Sequence, residues 1–166
     1  AFFTLPSIFE RQFVHSETLL SGYFDYRQHF VSLKQLFLSN YWEYGSSFFG
    51  DADTVNLSTG PLHWIVGLLA FFIAILNFKK NKKVVSVLIV LAGLELIILF
   101  LIHQKSSFIW EKISILSWLQ FPWRNLALSV FLLSILSASA IFFLGKYKKK
   151  LGWALGIIVI SGVLLL

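Results

Sequence analysis

Glu95 is the side chain that most demands a chemical explanation. It stands in LAGLELIIL, about twelve residues into an apolar run from 84 to 103. At mid-bilayer depth a carboxylate costs about 3 kcal/mol on an insertion scale, against a gain of about 0.3 to 0.6 for each Leu, Ile, Val or Phe. The fifteen such residues in the run outweigh it. An intramembrane carboxyl relays protons, meets a ligand, or is hydrogen-bonded to a neighbouring helix; Ser129, Ser134, Ser137 and Ser139 of a later apolar run are the available partners. Arg124, following Pro122 and Trp123, carries a planar fork suited to phosphate oxygens and equally suited to snorkelling towards head groups. Asp25 and Arg27 form a charged pair in YFDYR, and Asp51 and Asp53, as DAD, offer oxygen ligands to a hard cation. His15, His29, His63 and His103 are scattered without the i, i+4 spacing of a helical metal site, so no metal is assigned. A divalent cation at the two aspartates is the one cofactor the pattern admits. His63, beside Trp64, reads as an interfacial anchor.

The elements that must hold these groups follow from composition. Of 166 residues, 57% are hydrophobic and 13% charged, with mean hydropathy +0.78; a water-exposed domain carries about 25% charged residues. Crossing about 30 Å of hydrocarbon takes about 20 mostly apolar residues as a helix. The sequence predicts an all-α, polytopic membrane protein with spans at about 62–78, 84–103, 125–145 and 151–166. Residues 61–166 form this helical region, and 1–60 comprise the end of a preceding helix, terminated near Pro6, plus an extracytoplasmic loop. The chain has no Met, opens on AFFTLPSIF and stops in SGVLLL, which reads as a piece of a longer protein whose remaining helices would be its partners.

Orientation is set by lysine. Lys79, Lys80, Lys82 and Lys83, and Lys146, Lys148, Lys149 and Lys150, occupy two short loops, and six basic and eight acidic residues remain elsewhere. Short loops rich in Lys stay cytoplasmic, so 79–83 and 146–150 are predicted to lie on the cytoplasmic side of the membrane. Trp64, Trp110, Trp118 and Trp123 then fall near the outer head groups and Trp153 near the inner ones. A pI of about 9.7 does not indicate nucleic acid, because the basic residues lack polar groups interleaved on one face. With no Cys, neither disulfides nor thiolate metal sites arise.

Two outer interfacial helices are expected. In RQHFVSLKQLFLSN, Phe30, Leu33 and Phe37 make an apolar stripe opposite Arg27, Gln28, Lys34 and Gln35. In 107–121, Phe108, Ile109, Ile113, Leu116 and Leu119 face one way, over a length of about 21 Å that is too short to span. Pro61 is placed to open the first complete span. Asn56, Leu57 and Ser58 form a glycosylation sequon, and Gly152 and Gly156 a GxxxG close-packing motif.

The strings FVHSETLLSGYFDYRQHFVSLKQLFLSNYWEYGSSFFG, LHWIVGLLAF and LQFPWRNLAL resemble a family of bacterial polytopic membrane proteins labelled 6-pyruvoyl-tetrahydropterin-synthase-related, which is similar to the GT-C membrane glycosyltransferases that use polyprenyl-phosphate sugars. The resemblance covers about residues 1–128. Pterin synthase chemistry is rejected, because that enzyme uses a three-histidine zinc site with a His-x-His pair and a cysteine, and this chain has neither. The resemblance implies a lipid-linked sugar donor at the extracytoplasmic face, with Arg124 at the lipid phosphate and Asp25 and Arg27 shaping the acceptor side. Its catalytic carboxylate belongs to the first outer loop of such an enzyme, and no residue here is assigned that role. The alternative is a non-catalytic scaffold, or a transporter in which Glu95 relays protons.

Overall fold

The computed structural model describes residues 9, 13, 20–38, 45–50 and 54–165. They are helical throughout: α1 (Leu33–Leu38), α2 (Pro61–Leu76), α3 (Lys82–Ile102), α4 (Ser107–Lys112), α5 (Ser114–Ser117), α6 (Leu126–Tyr147) and α7 (Lys149–Leu165), joined by 3-10 turns and loops. Among the described residues there is no strand, and Val31 and His103 form an isolated β-bridge. The expected helix end near Pro6 lies outside the described residues.

Four helices occupy the four apolar runs. Pro61 sits in the first turn of α2, behind Gly60 at φ 80°, where its missing N–H leaves no bond unmade. Among the described residues two elements are long and apolar enough to cross a membrane: Lys82–Ile102, with mean hydropathy 3.0, and Pro122–Tyr147, with 2.4. Only 22% and 39% of their apolar windows are buried by the protein, whereas the core helix of a water-soluble domain is mostly covered. At 16 residues, α2 is about 24 Å long.

The bundle is organised around α6, which packs on α2, α3 and α7. Ala74, Val85, Leu88, Leu133, Leu136 and Phe143 form the core shared by α2, α3 and α6. Small residues let the axes approach: a Cβ on Gly67 would lie 3.0 Å from Leu133, and one on Gly152 would lie 2.6 Å from Gly145 Cα. Gly152 of the GxxxG motif therefore marks the α6–α7 crossing. Both lysine tracts lie at one end of the bundle, where Lys146 Nζ donates to Asn81 Oδ1 at 3.2 Å.

The opposite end carries a cap that departs from the sequence expectation. Within the described residues the first amphipathic helix covers Leu33–Leu38. Ser32 and Gln35 form a capping box, with Gln35 N–H donating to Ser32 Oγ at 3.2 Å and Ser32 N–H to Gln35 Oε1 at 2.8 Å, so the helix starts there. Upstream, Val31 is extended and its N–H donates to Ile102 O at 3.1 Å, which takes Phe30 and Val31 out of the helical stripe. The helix expected over 107–121 is broken at Ile113 (φ −107°, ψ 84°) into α4 and α5. α5 ends at Ser117 and a turn leads to Gln120 at φ 59°, after which Phe121 is extended, as the residue before proline must be.

Candidate functional site

Helices α2 and α3 flank a groove of about 660 Å³, with α6 behind it and α1 across its cap end. Leu68 and Phe71 of α2, Leu96 and Leu99 of α3, and Leu133 of α6 line it, so its wall is almost wholly apolar. Two charged side chains join that lining: Lys34 of α1, exposed at the rim, and Glu95 of α3, inside. Glu95 is only 4% exposed. Its Oε1 accepts from Ser129 Oγ at 2.5 Å, across 34 residues of chain, while Oε2 is buried with no protein partner. Of the four serines expected as partners, Ser129 meets Glu95. Ser137 Oγ donates weakly to His63 O at 3.4 Å, and Ser134 and Ser139 donate to carbonyls of their own helix.

Arg124 occupies the turn that leads into α6. It donates to Leu119 O at 3.1 Å, and its guanidinium lies 4.7 Å from the centre of the Phe121 ring. It thus serves the last carbonyls of the broken helix while staying exposed, and the cation in the groove lining is Lys34. Asp25 and Arg27 are brought together locally: Arg27 N–H donates to Asp25 Oδ1 at 3.0 Å, and Arg27 Nη1 lies 3.3 Å from Asp25 Oδ2. Such a pair, with Arg27 largely exposed, caps a 3-10 turn and adds little stability. Asp51 and Asp53 lie outside the described residues, as do His15 and Glu17. Among the described residues no three His, Asp or Glu side chains converge as a metal site would need. Asn56 is folded into its own turn, its Oδ1 accepting from Ser58 N–H at 2.9 Å.

No protein-family model, curated protein or solved structure matches this chain. Its chemistry must therefore be read from the arrangement itself.

A polar cluster that sequence reasoning missed lies in the cap. His29, 1% exposed, pairs through Nδ1 with Ser47 Oγ at 2.7 Å and through Nε2 with the carbonyl of Tyr23. A carbonyl only accepts, so Nε2 carries the hydrogen and Nδ1 accepts from the Ser47 hydroxyl. Ser47 Oγ in turn accepts from Trp123 Nε1 at 2.9 Å, and Ser47 N–H donates to Tyr23 Oη at 3.3 Å. A serine against a histidine resembles an activated nucleophile. Here, however, Ser47 is 2% exposed and Phe121 packs its ring 4.5 Å from the His29 ring centre. The cluster is a clamp that fastens the 22–28 turn and the 45–50 loop to the start of α6. A pair of serines in the loop GSSFFG offers no sequence signal for it.

Two of the tryptophans expected among lipid head groups, Trp110 and Trp64, do similar work. Trp110 is 1% exposed, stacks 5.4 Å from Tyr26 and donates to Leu101 O at 3.0 Å. Trp64 donates to Phe37 O at 3.3 Å, which ties α2 to α1. Their indole N–H groups are thus spent on the protein.

Proposed function

We propose that this chain is a multi-pass part of a bacterial inner-membrane enzyme, a GT-C-like glycosyltransferase that uses a lipid-linked sugar donor at the extracytoplasmic face. In this reading α2, α3, α6 and α7 are four spans, the lysine loops 79–83 and 146–150 face the cytoplasm, and the cap lies outside. The observation that carries the reading is the groove. It is an apolar slot of about 660 Å³ between two helices, of a chemistry that suits a polyprenyl tail, with a cation, Lys34, in its lining at the cap end and so a place for the donor phosphate. Arg124 is a second phosphate ligand at the cap, and Asp25 with Arg27 borders the acceptor side. A polyprenyl-phosphate sugar, the surrounding bilayer and the remaining helices of the full-length protein are its partners.

A second reading, a transporter with Glu95 as proton relay, is favoured by one feature: Glu95 Oε2 is buried without a partner. Paired substitutions separate the two. A transferase loses sugar transfer on Arg124→Ala and keeps it on Glu95→Gln, whereas a proton-coupled transporter shows the opposite pattern. If neither substitution alters transfer or transport, both assignments fail.

A further inference from the structure

We infer that the lysine end of the bundle holds a binding site for an anionic phospholipid, with one acyl chain lying between α6 and α7. Three features converge there. The first is charge. All eight lysines of the two tracts are exposed, Lys146 is tethered to the loop between α2 and α3 through Asn81, and no acidic residue occurs in 77–83 or 144–153. A phosphate reaching this end meets cations from both loops and no opposing carboxylate, and basic pockets between spanning helices favour anionic head groups.

The second feature is a slot for the chain. The close crossing at Gly145 and Gly152 leaves a groove of about 360 Å³, walled by Ile141 of α6 and by Gly156, Ile157 and Ile160 of α7. Lys149 lines this same groove, so a single lipid can satisfy the cation with its phosphate and the apolar wall with its tail. The third is Trp153, one turn along from Lys149 in the groove lining and largely exposed. An indole there sits at the level where head group meets chain. A zwitterionic lipid would fill the slot equally well but would bring a second cation to the lysines, so the site selects for net negative charge. It is separate from the lateral groove between α2 and α3 and does not depend on the function proposed above.

Trp153 supplies the readout. Bromine on an acyl chain quenches indole fluorescence only at contact range. The protein in nanodiscs of phosphatidylcholine would be titrated with dibrominated phosphatidylglycerol or with dibrominated phosphatidylcholine, and the Trp153 component obtained by subtracting Trp153→Phe. The phosphatidylglycerol should quench that component at severalfold lower mole fraction. Lys149→Gln with Lys150→Gln, both at exposed positions, should reduce the preference by roughly fivefold or more. Gly156→Leu should abolish the preferential quenching with every lysine intact; an added Cβ there lies 3.8 Å from Ile141, ordinary van der Waals contact, and both residues line the groove that the larger side chain would fill. Equal quenching by the two lipids overturns the proposal. So does a preference that survives Gly156→Leu, which would show diffuse attraction to the lysines without a site. If Gly156→Leu fails to fold, the lysine variant still decides, because an unchanged preference there also overturns it.

Discussion

The two polar assemblies of the molecule, the His29–Ser47 clamp in the cap and the Glu95–Ser129 pair beside the lateral groove, are built in opposite ways. In the clamp, both ring nitrogens of His29 and the oxygen of Ser47 have partners, and aromatic rings cover them. Beside the groove, one carboxyl oxygen is bonded and the other is buried and free. A saturated network has no bond left to give a ligand and serves to fix geometry, whereas an unsatisfied buried oxygen is an unfavourable state that needs a reason. The clamp therefore fixes geometry, and the groove, where Glu95 Oε2 has no protein partner, is the proposed site.

That contrast can be broken by substitution. The largest effect should come from Ser47→Ala, which strands Trp123 Nε1 and His29 Nδ1 in a dry environment. A loss of about 3 kcal/mol follows from leaving two buried groups unpaired, measured as thermal unfolding in detergent together with faster proteolysis of the 45–50 loop. A loss below about 0.5 kcal/mol would remove the clamp from the account. Ser129→Ala should be much milder, about 0.6 kcal/mol, the average for polar contacts between helices in membranes. Glu95→Leu should be milder still, because it removes an unsatisfied oxygen together with a bonded one and puts an apolar side chain of similar size against an apolar wall. Unfolding within about 0.5 kcal/mol of the native protein is expected, and a large loss would mean that Glu95 is structural after all.

The smallest effect is a pH dependence at the junction of the two regions. His103, one residue beyond α3, has its pKa lowered from the ordinary value of 6.5 by burial first and by Lys105 second. The unfolded chain therefore takes up this proton more readily than the folded one. The contribution to stability is complete above pH 6.5 and is lost as pH falls through the lower folded value. His103→Gln should flatten that part of the stability profile below pH 6.5, and an unchanged slope would assign it elsewhere.

Much of the bundle was legible because an apolar run long enough to cross a bilayer has few other uses. The runs at 62–78, 84–103, 125–145 and 151–166 became helices within a few residues of those limits. The cap was not, because its elements are shaped by distant partners. Val31 is extended because Ile102 offers it a carbonyl, and Thr59 N–H and Oγ1 tie α1 to the loop before α2 through Leu36 O, each at 3.1 Å. Ser32 and Gln35 had the capping-box spacing in plain view, yet the apolar stripe from Phe30 to Phe37 masked it. Glu95 stood out by its surroundings alone, and a serine on α6 was a foreseeable partner. The free oxygen, Lys34 at the rim and the slot between α2 and α3 required the packing of four helices to be known.

The central claim is that the lateral groove takes a lipid tail, and photo-crosslinking tests it most directly. A polyprenyl phosphate with a diazirine in its isoprenoid chain would be equilibrated with the protein in nanodiscs, irradiated, and the modified residues mapped by mass spectrometry. The account predicts labels concentrated on Leu68, Phe71, Leu96 and Leu99, reduced when unlabelled polyprenyl phosphate competes. Labels spread over outward-facing residues such as Phe131 and Phe142, with no excess in the groove and no competition, would contradict it.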